Sequence, residues 1–181
     1  MLLLGLILAG CGGHSANYND PLFSGPWAAD FRQAYNKTED PFLKSVLEDG
    51  VISDEEFSEV KQAYLKCMES LGFAGVTIND DGSGGFTPPQ GADFTPEEIN
   101  GMDKGCLEES GVITILPLYN GPRVNPDNIP FETLMADCLV RFGLESPGYS
   151  GNDYLKDFQD GLWDGNPQFR ACQADPLNAR P

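Results

Sequence analysis

The stretch VISDEEFSEVKQAYLKCMESLGF, residues 51–73, decides the fold that we expect of this chain. Ser53 and Glu56 have the spacing of a capping box, in which each side chain bonds the backbone of the other at a helix start. The apolar residues that follow recur at three- and four-residue spacing: Phe57, Val60, Tyr64, Cys67, Met68 and Leu71. Gly72 then supplies the left-handed conformation that ends a helix. The stretch predicts an amphipathic helix with one buried face.

The residues just before this helix also resemble the second half of an EF-hand calcium loop. Asp49 and Gly50 make the turn, and Glu56 stands where a closing carboxylate belongs. With Gly50 at the glycine position of such a loop, Leu47 falls on a ligand position, and leucine cannot bind calcium. We interpret the segment as the junction between two helices.

A second segment, NDDGSG at residues 79–84, has the order of the first half of a calcium loop. Asn79, Asp81 and Ser83 take the ligand positions, but Gln90 stands where the closing glutamate should be. Two prolines also preclude the helix that would follow. The three residues are weak candidates for a low-affinity calcium site, and we expect no other metal and no cofactor.

The first eleven residues, MLLLGLILAGC, resemble the lipobox of bacterial lipoproteins. In that motif a signal peptidase cuts before the cysteine, here Cys11, and the thiol receives a diacylglycerol lipid and a fatty acid such as palmitate. The alternative is an ordinary secretory signal with an incidental cysteine. No Lys or Arg precedes Cys11, whereas signal peptides begin with positive charge, so we expect the true start to lie upstream.

This interpretation of the N-terminal residues divides the chain into three segments. Residues 1–10 are expected to be a lipoprotein signal peptide, residues 11–25 a flexible tether rich in small and polar residues, and residues 26–181 a helical domain held by disulfides. Lipid on Cys11 would then hold the protein at the extracytoplasmic face of the cell membrane.

Acidic residues outnumber basic ones, 28 to 11, which gives a net charge of −17 and a pI near 4.1. Nucleic acid is disfavoured as a partner because phosphate binding needs clustered Lys and Arg. An acidic surface commonly serves solubility alone. It also attracts cations, cationic peptides or a basic protein.

Four cysteines remain after Cys11, and an even number in an exported domain indicates disulfides. They are Cys67, Cys106, Cys138 and Cys172. Three pairings are possible, and we favour the sequential one because it closes the shortest loops. A metal site is the alternative, but the chain has no Cys-x2-Cys pair to support it.

Three of these cysteines share a pattern: CMESLGF at residue 67, CLEESGV at residue 106 and CLVRFGL at residue 138. In each, a glycine and an apolar residue follow the cysteine at fixed distances. Glycine ends a helix, and the apolar residue beyond it packs back on the last turn. We therefore expect each cysteine to lie near the C-terminal end of a helix.

The fold class that these signals predict is mainly α, a small multi-helix domain with two disulfides and a short two-stranded β ribbon. Further helices are expected through residues 27–35, from Asp40, from Thr95 to Gly111, from Ile129 to Phe142, over residues 151–161 and from Asn166. We expect FAGVTI at residues 73–78 to pair with VITILPLY at residues 112–119, and residues 79–94 to form a loop. Phe131 is expected to face inward and Trp163 to be exposed.

The sequence lacks the residues and motifs that most catalytic sites require. The single histidine is His14, in the expected tether, which excludes Ser-His-Asp and Cys-His sites in the domain. No glycine-rich phosphate loop or dinucleotide motif is present. A pair of carboxylates could still hydrolyse a glycosidic bond, so a cell-wall hydrolase stays an alternative.

Four segments give the chain a resemblance to the small disulfide-containing lipoproteins of actinobacteria. They are residues 46–73, 116–144, 146–158 and 169–177. The resemblance implies an exported domain with paired cysteines, and it assigns neither an activity nor any site residue. We expect a non-enzymatic, lipid-anchored envelope protein that binds a protein or peptide partner, for example as an accessory to a transporter. The alternative is a binder of cations or cationic peptides.

Overall fold

The computed structural model describes residues 23–181, and the expected signal peptide, the lipidation site Cys11 and most of the tether lie outside these residues. The chain divides into two compact units, of which the first ends at Val51 and the second spans Ile52–Pro181. The described residues form eight helices, two strands and two disulfides, so the predicted fold class is confirmed.

The elements follow one another in this order: α1 Ala28–Lys37, α2 Pro41–Leu47, α3 Asp54–Ser70, β1 Ala74–Ile78, β2 Gly84–Thr87, α4 Pro96–Glu109, α5 Val112–Val124, α6 Phe131–Arg141, α7 Gly151–Gln159 and α8 Pro167–Ala174.

The first unit is the helix pair α1 and α2. Asp40 starts α2, because its carboxylate accepts the backbone N–H groups of Phe42 and Leu43 at 2.7 and 3.1 Å, and Pro41 occupies the first turn. A proline is tolerated there, since the N–H that it lacks would have no partner within the helix.

The second unit begins with α3, which has the capping box predicted from the sequence. The Ser53 N–H donates to Glu56 Oε2 at 2.8 Å, and the Glu56 N–H donates to Ser53 Oγ at 3.2 Å. The buried face of α3 packs against α4, α5 and β1. On this face, the Phe57 ring stacks on Tyr119 with 4.0 Å between their centroids.

The cysteines pair in the predicted sequential order. Cys67 of α3 bonds Cys106 of α4, with their Cα atoms 5.5 Å apart, and Cys138 of α6 bonds Cys172 of α8, with 5.8 Å between Cα atoms. Each bridge therefore joins two helices within the second unit.

The shared glycine pattern ends the helices as predicted. Gly72 and Gly143 have φ of 88° and 68°, and the N–H of the following residue donates back into the last helical turn, from Phe73 to Met68 O and from Leu144 to Leu139 O. Gly111, with φ of 80°, ends α4, but α5 starts directly after it. The pattern thus determines where a helix ends, but it does not determine which structure follows.

The predicted pairing of residues 73–78 with residues 112–119 is wrong. β1 pairs antiparallel with β2, which lies inside the segment expected to be a loop, and VITILPLY forms most of α5. Its β-branched residues favour a strand in isolation. In the fold, however, α5 buries Val112, Ile115 and Leu118, which share a face only when the segment is helical. Burial outweighs the local preference.

The prediction that Trp163 is exposed is also wrong, because the side chain is only 5% exposed. Its ring stacks between Tyr154 and Phe169, with centroid distances of 5.9 and 5.5 Å. The stack lies beside the Cys138–Cys172 bridge in the core formed by α6, α7 and α8. Gly161 and Gly165, which flank Trp163, have positive φ and allow the chain to turn here. They do not indicate whether the Trp163 side chain is exposed.

Candidate functional site

The weak calcium candidates lie together in the turn between β1 and β2, where they bond one another. Asn79 Nδ2 donates to Ser83 Oγ at 3.0 Å, and Ser83 donates from Oγ and from its backbone N–H to Asp81 Oδ1 at 2.6 and 2.9 Å. The Ser83 hydroxyl, followed by its N–H, lowers the pKa of the Asp81 carboxyl. These bonds close the turn, and within residues 23–181 no three His, Cys, Asp or Glu side chains converge as metal ligands.

Helices on two sides hold this turn in place. Lys61 of α3 forms an ion pair with Asp80, and Asn120 Nδ2 of α5 donates to the backbone oxygen of Asp80 at 2.6 Å. Gly82 lies so close to Leu116 that an added Cβ would be 2.6 Å from Leu116 Cδ2. The hairpin is therefore packed firmly against α3 and α5.

A cleft of about 160 Å³ lies between the hairpin, α3 and α4. It is lined by Tyr64, Thr77, Ile78, Gly82, Gly84, Gly85, Phe86, Asp103 and Leu107. We name it the hairpin cleft. Sequence reasoning missed it because its lining residues come from three separate elements.

The hairpin cleft has one carboxylate, and a tyrosine orients it. The Tyr64 hydroxyl donates to Asp103 Oδ1 at 2.7 Å. Burial raises the pKa of Tyr64 most, and the hydrogen bond and negative charge of Asp103 raise it further. Among the described residues, no Lys or Arg forms an ion pair with Asp103. Its neighbour Lys104 pairs with Glu108 at 3.6 Å. The carboxylate is held in place without a cation.

A second feature is a group of large apolar side chains exposed on α6, on α7 and just beyond α7. Phe131, Leu155, Phe158 and Leu162 are 52%, 45%, 49% and 60% exposed. We name this group the α6–α7 apolar surface. The prediction that Phe131 faces inward is wrong, because this residue is the first of α6 and lies at the edge of the core.

Two members of the α6–α7 apolar surface, Phe131 and Phe158, rest on the aromatic stack below them. The buried Tyr154 ring contacts Phe131 at 6.5 Å and Phe158 at 5.6 Å between centroids, and it also stacks on Trp163. Aromatic contacts of this kind fix ring orientations. These two exposed rings are thus supported from beneath by buried aromatic side chains.

Acidic residues accompany this surface in the sequence. Asp153, Asp157, Asp160 and Asp164 fall within twelve residues that contain one basic residue, Lys156. Ser150 caps α7, and its hydrogen bonds lower the pKa of Asp153. Apart from Asp157, which accepts the Tyr149 hydroxyl at 3.0 Å, these carboxylates are exposed.

No protein-family model matches the chain, and it matches neither a curated protein nor a solved structure. Over residues 23–181, the helices are too short or too polar for any of them to cross a bilayer.

Proposed function

We propose that the chain is a lipid-anchored cell-envelope protein that binds a protein or peptide partner and catalyses no reaction. The lipid on Cys11 would attach it to the extracytoplasmic face of the membrane, as in the actinobacterial lipoproteins that it resembles. The observation that carries the binding proposal is the α6–α7 apolar surface.

This surface has the properties of a binding site for a macromolecule. Isolated exposed apolar residues are common, but a group of them on a rigid support costs solubility and marks an interaction surface. Aromatic side chains are prominent among the residues that contribute most binding energy. Phe131 and Phe158 are both half exposed and both contact Tyr154, so a partner could cover them without rearranging the fold.

The net negative charge of the chain indicates what kind of partner would bind. Two copies of this chain would each carry a net charge of −17 and would repel one another, which disfavours self-association. A partner with basic residues around an apolar face would be attracted instead. We therefore propose a basic, amphipathic protein segment as the occupant, which unites the two functions considered from the sequence.

The binding experiment uses a synthetic helical peptide of leucine and lysine as the probe, with a leucine–glutamate peptide for comparison. We expect the lysine peptide to bind the full chain, and its affinity to fall about tenfold for the double substitution Leu155→Ser and Phe158→Ser. The matched control replaces Ile113 and Val124 with serine, since these residues are equally apolar and exposed on α5.

Three outcomes would overturn the binding proposal: no binding of the lysine peptide, equal losses for both double variants, or equal binding of the glutamate peptide. The anchor is tested separately with Cys11→Ala. This variant should lose labelled palmitate, and retention of the label would refute the lipid attachment to Cys11.

A further inference from the structure

We propose that the hairpin cleft is a binding site for a small organic cation, a compound with one ammonium group on a short carbon skeleton. The inference is independent of the partner proposed for the α6–α7 apolar surface. It rests on one carboxylate that has no cationic partner among the described residues, on the apolar side chains that line part of the cleft, and on the size of the cleft.

The carboxylate of Asp103 provides the charge recognition. Tyr64 holds one of its oxygens through a 2.7 Å hydrogen bond, so the group is oriented before a ligand arrives. It is partly buried and has no cationic partner among the described residues. A partly desolvated carboxylate attracts a cation more strongly than a fully hydrated one. An ammonium group would therefore form a charge-assisted hydrogen bond here.

Three apolar side chains in the wall of the cleft suit the carbon part of such a ligand. Leu107 and Ile78 supply aliphatic surface, and Phe86 supplies a ring that a cation can approach. Edge contact with Phe73, at 5.1 Å between centroids, holds the Phe86 ring in place. Alkyl carbons would contact these side chains while the ammonium group reaches Asp103.

The size and charge of the cleft restrict the class of ligand. Its volume is 160 Å³, and a cavity of about 150 Å³ holds a molecule as large as benzene. About six non-hydrogen atoms would therefore fit. Calcium needs about six oxygen ligands, and the cleft has a single carboxylate, so a divalent metal ion is a poor occupant. The overall negative charge disfavours anions.

Two substitutions test the site while leaving its supports in place. Asp103→Asn removes the charge but keeps an oxygen that can accept the Tyr64 hydroxyl. Gly85→Leu adds a side chain to a residue that lines the cleft, and a Cβ at Gly85 would meet no atom within 4 Å. Gly84 is unsuitable for this purpose, because a Cβ there would lie 2.1 Å from the backbone oxygen of Thr77.

The probe is n-butylammonium chloride, titrated into the full chain at constant ionic strength and followed by NMR chemical shifts, with n-butanol as the uncharged comparison. We expect saturable shifts centred on residues 77–86 and 103–107, and weaker or absent shifts with n-butanol. Affinity should fall at least about tenfold in Asp103→Asn, because the negative charge that strengthens the hydrogen bond to the ammonium group is lost. Gly85→Leu should lower it comparably.

The control is Asp137→Asn on α6, an exposed carboxylate outside the cleft, which should bind the probe like the unchanged protein. Equal losses in Asp137→Asn and Asp103→Asn would mean that the probe acts as a general counterion, and this would overturn the proposal. Absence of saturable shifts, or full binding by Gly85→Leu, would overturn it as well. A thermal melt of each variant separates lost binding from lost folding.

Discussion

The second unit contains two parts that share the same sequence pattern and the same kind of bridge but differ in what surrounds the bridge. We call residues 52–124, with α3–α5 and the hairpin, the hairpin half, and residues 125–181, with α6–α8, the aromatic half. In the hairpin half, Cys106 is buried but Cys67 is only partly buried. In the aromatic half, Cys138 and Cys172 are both fully buried beside stacked rings.

The difference shows how one local motif supports two kinds of surface. In the hairpin half, polar bonds from Lys61, Tyr64 and Asn120 hold elements together and leave a cleft that contains a carboxylate. In the aromatic half, stacked rings pack beside aliphatic residues and the disulfide, and the rings at the edge of the stack stay exposed. Each half therefore presents its own candidate binding surface.

Removing each disulfide is expected to produce the largest losses of stability, and the two losses should differ between the halves. The bridged residues are 39 and 34 positions apart, so the chain-entropy model assigns both bridges about 4 kcal/mol. Replacing Cys138 and Cys172 with alanine removes two residues that are fully buried, whereas Cys106 is the one fully buried cysteine of the other bridge, so we expect a larger total loss here, about 5 kcal/mol. Urea unfolding of the two double alanine variants measures the difference.

Partial reduction gives a second measurement of the same difference. A reductant must reach a sulfur atom to attack it, and Cys67 is the most accessible of the four cysteines. We expect mild thiol treatment to open Cys67–Cys106 first, as detected by alkylation and mass spectrometry. Equal losses of stability, together with simultaneous reduction, would show that burial does not distinguish the bridges.

Replacement of Trp163 tests whether the aromatic stack stabilises the aromatic half. Trp163→Ala removes the ring between Tyr154 and Phe169, and truncation of a buried tryptophan costs about 4 kcal/mol. Leu162→Ala is the matched control, because Leu162 is next to Trp163 in the chain but is 60% exposed. This substitution should change the free energy of unfolding by less than about 0.5 kcal/mol. Similar unfolding free energies for the two variants would contradict the structural role of the stack.

The sequence predicted the features that depend on local chemistry. The capping box of Ser53 and Glu56, the glycine at each helix end and the sequential pairing of the cysteines are all present. These features depend on residues a few positions apart, or on a small number of possible pairings. A single sequence is sufficient to identify them.

The features that the sequence did not predict depend on contacts between distant residues. VITILPLY becomes helical because Val112, Ile115 and Leu118 are buried together. Trp163 is covered by rings that precede and follow it in the chain. The Tyr64–Asp103 bond joins residues 39 positions apart, and no local pattern marks it. The hairpin cleft therefore could not be predicted from spacing.

Alkaline pH should produce the smallest effect, and it should act on both halves. Tyr64 donates to Asp103 in the hairpin half, and Tyr149 donates to Asp157 in the aromatic half. Burial first, and then the bonded carboxylate, raises the pKa of both hydroxyls above the ordinary value of 10.0. Folding therefore favours the neutral phenol, whereas an unfolded tyrosine ionises near pH 10, at about its ordinary pKa.

The sign of the pH dependence follows from this difference. The stabilisation is fully present below about pH 10 and is lost as the pH rises towards the raised folded-state pKa values. Urea unfolding between about pH 9 and pH 11 should show stability falling with pH. Tyr64→Phe and Tyr149→Phe should each cost about 1 kcal/mol at neutral pH and make the alkaline decline shallower. If only one variant does so, only that half depends on its tyrosine–carboxylate bond, and an unchanged slope in both would refute the assignment.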